Sequence, residues 1–497
     1  MFQNFACRRI FCSLILVNFN VAAVMAADSS AITELLIKKG IITQQEARQL
    51  KEGVSLEQLL MEKGLISREE LSSVQKQRKH QSAQIVPGSD PVAIEQKIDE
   101  KLAEKFESEF PVKVGYGKKG FSLQSRDGNW ATNLQWRAQM RYSNPHRSDP
   151  RQVSHFERND ESSFELRRVR MKIGGHGYRP WLKYYFEVDL QPTRNADGGP
   201  EDAGVRLIDW RLTIDKYKWL AFRAGQWKVN YNRERVDSSG RQTFVERSIV
   251  NRIFTVDRQM GVMAFGHLFP ETPADMRYYI GVFNGEGRGV KNDNSDMLYM
   301  GRLQWNFLGR DLKWRQSDVK YHKLPTGSIA FAGATTIGKC TRWSSSGCGN
   351  LDGFSKVNAA QESQFKVQQM MQEFAFKWHG LALQQEFHWK RITDRVNNTK
   401  SDLQGSYAQI GYFFHDLLPI VPENLELAFR YAFVDEPNAT NIALTNTREE
   451  FTGAINYFID GHRNKLTLDF SHLTLEDAFL AKNVADQRVR FQWDISF

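Results

Sequence analysis

The stretch VRFQWDISF, residues 489–497, has the most informative pattern in the chain. Its large apolar side chains are Val489, Phe491, Trp493, Ile495 and Phe497, and polar residues occupy the positions between them. Successive side chains of a β-strand point to opposite faces, so the segment is predicted to separate hydrocarbon from water. A strand packed on a soluble core would show the same alternation, so the rest of the chain has to distinguish the two.

The same period of two continues through most of the chain after Pro111. We predict sixteen strands near 131–142, 164–174, 181–190, 205–214, 218–226, 258–268, 275–284, 297–307, 311–321, 366–378, 381–391, 403–414, 424–434, 449–460, 463–473 and 487–497. The connections alternate between short turns, such as His379-Gly380, and long loops, such as 227–257 and 322–365. An even number of strands with alternating short and long connections is typical of bacterial outer-membrane barrels.

The terminal aromatic Phe497 also resembles the C-terminal signal of such barrels. We therefore predict an all-β fold, a 16-stranded antiparallel transmembrane β-barrel over residues 112–497, with a small α-helical N-terminal region in the periplasm. An open sheet in lipid is excluded because its edge groups would lack hydrogen-bond partners.

Residues 1–26 have the features of a signal peptide. Arg8 and Arg9 precede a short apolar run, and Val24-Met25-Ala26 is a small-residue cleavage pattern. The apolar run is too short to span a bilayer, and no later stretch approaches the roughly 18 to 20 apolar residues needed, so we expect no membrane helix in the mature chain. Export past the inner membrane argues against a nucleic-acid partner and for a location in the cell outer membrane.

A repeat offset by 24 residues occupies the segment 27–80, which we predict to be a helical module. The two copies are LLIKKGIITQQE from Leu35 and LLMEKGLISREE from Leu59. Each has a glycine suited to a left-handed helix cap, Gly40 or Gly64, followed by a capping box.

Residues 81–111 are predicted to form a linker and a short helix. An apolar stripe runs along that helix at Ile94, Ile98, Leu102, Phe106 and Phe110. The stripe fits a short coiled coil in an oligomer. It fits equally a helix packed on its neighbours, or a segment that orders only on assembly.

The chain is basic, with a formal net charge of +9, which falls to +7 when the two arginines of the signal peptide are removed. For an exported protein this balance indicates an anionic membrane surface or anionic solutes. Two cysteines lie outside the signal peptide, Cys340 and Cys348, and seven residues rich in serine and glycine separate them. In an oxidising compartment they are predicted to form a loop disulfide, and no neighbouring histidine or acid suggests a metal site.

Strand parity places charged side chains in the lumen, because a charge facing the lipid midplane costs about 2 to 4 kcal/mol. Val169, Met171 and Ile173 face one way, and the intervening basic residues face the other. The lumen-facing candidates for an anion path are Arg168, Arg170, Lys172, Arg211 and Arg223. Guanidinium groups offer paired donors to oxyanions, although a solvated lumen balanced by acids would show the same parity.

The loop 227–257 mixes basic residues with apolar ones such as Phe244 and Ile253. Folding into the lumen would bury the apolar groups and direct the basic groups at the permeation path. Its candidate residues are Arg233, Arg235, Arg241 and Arg247.

Three segments resemble the phosphate-selective O/P porins of Gram-negative outer membranes. They are GQWKVNYNRERVDSSGRQTFVERSIVNRIFTVDRQMGVMAFG at 225–266, FELRRVRMKIGGHGYRPWLKYYFEVDL at 164–190 and YIGVFNGEG at 279–287. The resemblance implies a homotrimer in which the third external loop narrows the pore and arginines line the way in. Inorganic phosphate or other small anions are the implied solutes, and outer-membrane lipid is the implied surroundings.

Three alternatives stay open at this point: a general porin, a porin for another substrate, and a structural barrel that tethers the envelope. The sequence has no His-Glu-x-x-His, Gly-x-Ser-x-Gly or phosphate-binding P-loop motif, so we expect neither an enzyme nor a bound cofactor or metal. A hydrolase with a dispersed serine and histidine pair is the weakest alternative.

Overall fold

The computed structural model describes residues 112–145, 151–156, 161–190 and 205–497, together with 42–51 and a few single positions between 37 and 101. The chain divides into two compact units, Met1–Glu109 and Phe110–Phe497. None of the helices described is both long and apolar enough to cross a membrane.

In the first unit, helix α1 spans Gln44–Lys51, and Ala47 donates its backbone N–H to the carbonyl of Thr43 at 3.0 Å. Ile42, Ala47 and Leu59 are buried together. Gly64 has a φ of +64°, the left-handed conformation expected of the second helix cap. The signal peptide, the rest of the helical repeat and all of the predicted stripe lie outside the described residues, so those remain predictions.

The second unit is built almost entirely of antiparallel strands. The strands are β1 Val112–Gly117, β2 Gly120–Ser125, β3 Ala131–Asn144, β4 Ser163–His176, β5 Leu182–Asp189, β6 Arg206–Ile214, β7 Ala221–Lys228, β8 Arg258–Leu268, β9 Met276–Phe283, β10 Leu298–Trp305, β11 Thr326–Gly338, β12 Arg342–Ser344, β13 Gly347–Gly349, β14 Phe365–Trp378, β15 Leu381–Asp394, β16 Thr399–Phe413, β17 Leu425–Pro437, β18 Thr445–His462, β19 Asn464–Asp477 and β20 Lys482–Ser496. Short helices are α2 Val153–Phe156, α3 Arg233–Val236, α4 Ile249–Phe254 and a 3-10 turn Phe414–Asp416.

Sixteen of these strands close a barrel, because β20 pairs with β3 from Val489 opposite Asn144 to Ser496 opposite Arg137. The seal continues to the last residue, where Phe497 and Trp136 exchange backbone hydrogen bonds of 2.9 and 3.1 Å. The hairpin of β1 and β2 lies outside the closed circuit and pairs with the first residues of β3. The predicted sixteen-stranded antiparallel barrel is therefore confirmed.

One predicted strand is in the wrong place. The ninth strand was expected at 311–321, but the structure has β11 at Thr326–Gly338, and 306–325 is a long connection between β10 and β11. The alternation in 311–321 is real, but it belongs to a segment packed inside the barrel, where Leu312, Gln316 and Asp318 are at most 3% exposed. β11 itself is rich in small residues, so it lacks the bulky alternating pattern that marks a lipid-facing strand.

Side-chain direction follows the predicted parity except at two β-bulges. In β20, Phe491 and Trp493 are exposed to the outside, whereas Arg490, Gln492 and Asp494 are at most 2% exposed inside. The ladder between β3 and β4 shifts register around Arg167, and that between β5 and β6 shifts around Ile208. Because a bulge inserts one residue and reverses the alternation locally, Ile208 is 3% exposed and turns inward instead of facing lipid.

A charge placed on the outer face should destabilise the barrel. Phe429 of β17 is 48% exposed on that face, and a lysine there would stand in hydrocarbon. We expect Phe429→Lys to lower the free energy of unfolding in lipid vesicles by about 2 to 4 kcal/mol if it lies at the midplane, and by less towards the headgroups. Phe429→Leu is the matched control and should unfold like the unchanged protein. Equal stability of the two variants would contradict the assignment of this face to lipid.

Candidate functional site

The connection 229–257, which follows β7 and which we call the inner loop, folds into the barrel. Its backbone is held by carboxylates of the barrel wall. Glu234 donates its N–H to Glu386 at 2.8 Å, Val245 to Asp469 at 3.0 Å and Ile249 to Glu450 at 3.0 Å. The acceptors belong to three different strands, β15, β19 and β18, so the loop is fixed across the width of the lumen.

The apolar residues of the inner loop are buried against the wall. Phe244, Val250, Ile253 and Phe254 are at most 1% exposed. Val250, Ile253 and Phe254 belong to one apolar cluster with wall residues that include Val434 of β17. The ring of Phe244 lies instead 4.3 Å from the Arg430 guanidinium of the same strand. The inward folding that was expected from the mixture of apolar and basic residues is therefore what the structure has.

A second segment enters the lumen from the other end. Residues 306–325, which we call the turn insert, meet the inner loop, where Gln316 accepts the N–H of Thr243 at 2.8 Å and donates to Gln242 at 2.9 Å. Ser317 donates to Glu426 of β17 at 2.9 Å. Arg315 forms an ion pair with Asp237 of the inner loop. The lumen is thus narrowed from both ends.

A cavity of about 670 Å³ lies at the end of the barrel that carries the short turns, and we call it the turn-end chamber. Nine lysines and arginines line it against three carboxylates. The basic residues are Lys119, Arg170, Lys172, Lys183, Arg211, Arg223, Lys228, Arg241 and Arg315, and the acids are Glu187, Asp209 and Asp215. Such an excess of one charge in a low-dielectric recess concentrates ions of the opposite sign.

The acids of this chamber are paired with only some of its cations. Arg170 contacts Glu187 at 2.9 Å and Asp189 at 3.1 Å. Arg223 donates to the neutral oxygens of Thr213 and Asn230 at 3.3 and 3.2 Å. The side chains of Lys172 and Arg241 have neither a hydrogen bond nor an ion pair with any residue that the structure describes, so they are free to bind a solute.

Arg211 and Arg223 are also held by aromatic rings. The Arg211 guanidinium lies 4.4 Å from the ring centre of Tyr185, and that of Arg223 lies 4.7 Å from the ring centre of Phe265. A ring contact orients a guanidinium without neutralising it, since the ring carries no net charge. The ring contact therefore leaves the charge of Arg223 directed towards the chamber, whereas Arg211 also lies 3.6 Å from Asp209.

A smaller cavity of about 270 Å³ lies nearer the long loops, and we call it the loop-end chamber. Seven arginines line it against three carboxylates. The arginines are Arg167, Arg168, Arg235, Arg247, Arg252, Arg342 and Arg488, and the acids are Glu246, Asp257 and Glu450. Three serines of the connection after β11, Ser344 to Ser346, also line it.

One carboxylate in the loop-end chamber serves several arginines. Glu246 of the inner loop lies 2.8 Å from Arg141, 3.1 Å from Arg167 and 3.5 Å from Arg168. Arg235 is paired with Asp257, and Arg247 donates to the carbonyls of Glu234 and Asp237, both at 2.8 Å. Because one acid is shared among three guanidinium groups, this chamber also keeps a positive excess.

Eight of the nine residues expected on the anion path line one chamber or the other. Arg233 is the exception, since it is fully buried and lines neither chamber. It contacts Glu373 at 2.8 Å and the carbonyl of Lys313 at 2.6 Å, so it fastens the inner loop to β14 and to the turn insert.

Several chamber residues were not anticipated. Arg167 has the same strand parity as Val169, which the alternation directs outward, and the bulge turns it towards Glu246. Arg315 was placed in a strand that does not exist. Arg342 lies in a loop whose path the sequence did not indicate. Arg488 alone could have been found, because its parity in the last strand is that of Arg490.

The chain matches the family model of the phosphate-selective porins O and P over residues 141–495. It matches none of the curated proteins. Among solved structures it is similar to a loop L8 deletion mutant of OmpT, an outer membrane protein of Vibrio cholerae, at 9% identity and a TM-score of 0.50, covering 74% of this chain and 100% of that one. It is also similar to an anion-selective porin from Comamonas acidovorans, at 10% identity and a TM-score of 0.44, covering 74% and 100%.

The OmpT mutant shares only 9% of its residues with this chain, so its similarity bears on the fold alone. The family match is broader, because it extends from β3 to β20 and so takes in all sixteen strands of the barrel. With its closed barrel and inward-folded loop, the chain belongs to the phosphate-selective porin O and P family and is an outer-membrane porin.

Proposed function

We propose that this porin forms a water-filled channel that prefers anions, with phosphate or a related oxyanion as its solute. The observation that carries the proposal is the cation excess of both chambers, nine basic groups against three acids and seven against three. In the turn-end chamber, Lys172 and Arg241 are without a protein partner among the described residues, so an anion there would meet donors that are not already used.

The arrangement also supports passage rather than permanent binding. An ion must exchange part of its hydration shell for protein donors, yet must leave again, which requires several sites of moderate strength. Arginines that are each partly engaged, as Arg170 and Arg211 are with Glu187 and Asp209, meet this requirement. A structural barrel without transport would call for chambers in which acids balance the cations, and these chambers do not have that balance.

The first prediction concerns ion selectivity. Reconstituted in a planar bilayer under a potassium chloride gradient, the channel should give a reversal potential of the sign that marks anion preference, because the summed potential of the chambers is positive. Added phosphate should reduce the chloride current, since a divalent oxyanion accepts more charged hydrogen bonds than chloride. A reversal potential marking cation preference would overturn the proposal, and chloride current unaffected by phosphate would point to a general porin.

The second prediction assigns the filter to residues. The double variant Lys172→Ala with Arg241→Ala should weaken phosphate block by about tenfold, the equivalent of one hydrogen bond to a charged group. Arg391→Ala is the matched control, because Arg391 pairs with the exposed Asp402 and lines neither chamber. Unchanged block in the folded double variant would place the filter among the arginines of the loop-end chamber.

Arg233→Ala should behave differently from that double variant. Removing Arg233 leaves Glu373 with one guanidinium partner, Arg302, and takes a donor from Ser328 and from the carbonyl of Lys313. We expect a loss of about 1 to 3 kcal/mol in the free energy of unfolding. Ion selectivity should change only if the inner loop becomes more mobile. The rate of limited proteolysis within that loop measures its mobility.

We further propose that the chain assembles as a homotrimer, as family resemblance implies, and that its N-terminal region lies in the periplasm. Support for the orientation comes from the hairpin of β1 and β2, which pairs with β3 at its first residues, the end that carries the short turns. Native mass measurements of the chain with and without residues 28–110 test this. Trimers in both cases would assign assembly to the barrel, and monomers in both would contradict the proposal.

A further inference from the structure

A small hairpin in the connection 339–364 stands out because it is closed covalently. Strands β12 and β13 pair from Arg342 opposite Gly349 to Ser344 opposite Gly347, and Cys340 and Cys348 form a disulfide with their Cα atoms 5.6 Å apart. We call residues 340–349 the disulfide hairpin. A hairpin of two three-residue strands is not stable alone in water, so the disulfide and its packing must hold it.

One face of the disulfide hairpin is fastened to the barrel. Trp343 is 1% exposed and donates its indole N–H to the carbonyl of Gly285 at 2.5 Å. The ammonium group of Lys390, on β15, lies 5.4 Å from a Trp343 ring centre and donates to the carbonyl of Ile253 in the inner loop at 2.8 Å. A single wall residue therefore ties together the disulfide hairpin and the inner loop.

The loop after β9 packs closely against the same hairpin. A Cβ atom added at Gly287 would lie 2.6 Å from the backbone nitrogen of Cys348, so only glycine allows this approach. The neighbouring Glu286 carboxyl lies 3.3 Å from the sulfur of Cys340, and burial together with Asp293 raises the pKa of Glu286 to about 7. A carboxyl that is partly protonated at neutral pH is less costly to bury against sulfur.

The opposite face of the disulfide hairpin lines the loop-end chamber. Arg342 and the hydroxyls of Ser344, Ser345 and Ser346 contribute to the lining, with Arg235, Arg247 and Arg252 of the inner loop contributing another part. The hydroxyls of Ser344 and Ser346 form a hydrogen bond of 2.8 Å with each other, so the proton of one of them is left for an acceptor in the chamber. Guanidinium and hydroxyl donors on two sides of one cavity suit an acceptor with several oxygens.

We propose that the disulfide hairpin is a specificity-determining element that holds Arg342 and the serine hydroxyls opposite the inner loop, so that the loop-end chamber discriminates oxyanions from chloride. This inference rests on the proposed anion channel and names a part of it that the barrel wall does not supply. An oxyanion has oxygens for both sets of donors at once, whereas a chloride ion can contact both sets only if the cavity closes on it. Opening the hairpin would separate the two sets.

The test uses the double variant Cys340→Ser with Cys348→Ser in the full-length channel. We expect a larger single-channel conductance in chloride and phosphate block weaker by about tenfold, because an oxyanion would lose donors on one side. Ser363→Ala, in the same connection but not in the chamber lining, is the matched control and should leave both quantities unchanged.

Two further measurements guard against a folding defect. A phosphine reductant added to unchanged channels already inserted in the bilayer should reproduce the double-serine behaviour, and it should do nothing to the double-serine channel itself. Ser344→Ala with Ser346→Ala, which keeps the disulfide, should weaken phosphate block without raising chloride conductance.

The two proposals fail in different ways. If Lys172→Ala with Arg241→Ala reduces phosphate block while both hairpin variants keep the wild-type block and conductance, the hairpin has no part in specificity and this inference is wrong. If unchanged channels show no anion preference and no phosphate block, the proposed function itself is wrong.

Discussion

Backbone hydrogen bonding in hydrocarbon is the constraint on which the rest of this structure depends. Each unpaired N–H or C=O group in a bilayer costs several kcal/mol, so a sheet that crosses it must have no free edge. Here β20 meets β3, and the pairing runs to the backbone of Phe497 and Trp136. Closure fixes which face of every strand is the lumen, and thereby places arginines and carboxylates from all around the barrel in one enclosed space.

The carboxylates of that space are used mainly to hold protein. Glu386 and Asp469 accept backbone N–H groups of the inner loop, and Asp469 also pairs with Arg490 at 2.7 Å. A buried carboxylate that accepts several donors is stable without taking part in transport. Since these acids are occupied in anchoring the loop, the cations that face the two chambers outnumber the acids beside them. The use of these carboxylates to anchor the inner loop therefore also leaves the two chambers with an excess of positive charge.

Arginines of the inner loop consequently have different roles. Arg233 is buried between Glu373 and the turn insert, whereas Arg241, eight positions later, lines the turn-end chamber with a side chain that has no partner in the described part of the chain. From Arg233 the chain passes through the rest of helix α3 and then a turn in which Arg241 donates its N–H to the carbonyl of Ser238 at 2.9 Å. The turn insert contributes to this division, since it covers Arg233 with a backbone carbonyl and places Arg315 beside Asp237.

The architecture, the lumen face of most strands and the inward course of the loop were predictable from the amino-acid sequence. These follow from local patterns, a period of two and an apolar loop that needs burial, and the parity of Arg168, Arg170 and Arg223 was readable on that basis. Features that depend on contacts between residues distant in sequence became visible only in the tertiary structure. The bulge at Arg167 arises from the register between two strands, and the segment 311–321 alternates like a strand although it packs within the lumen. Local patterning reports which face of a segment is apolar, but partners from other strands determine whether a charge is an anchor or lines the path.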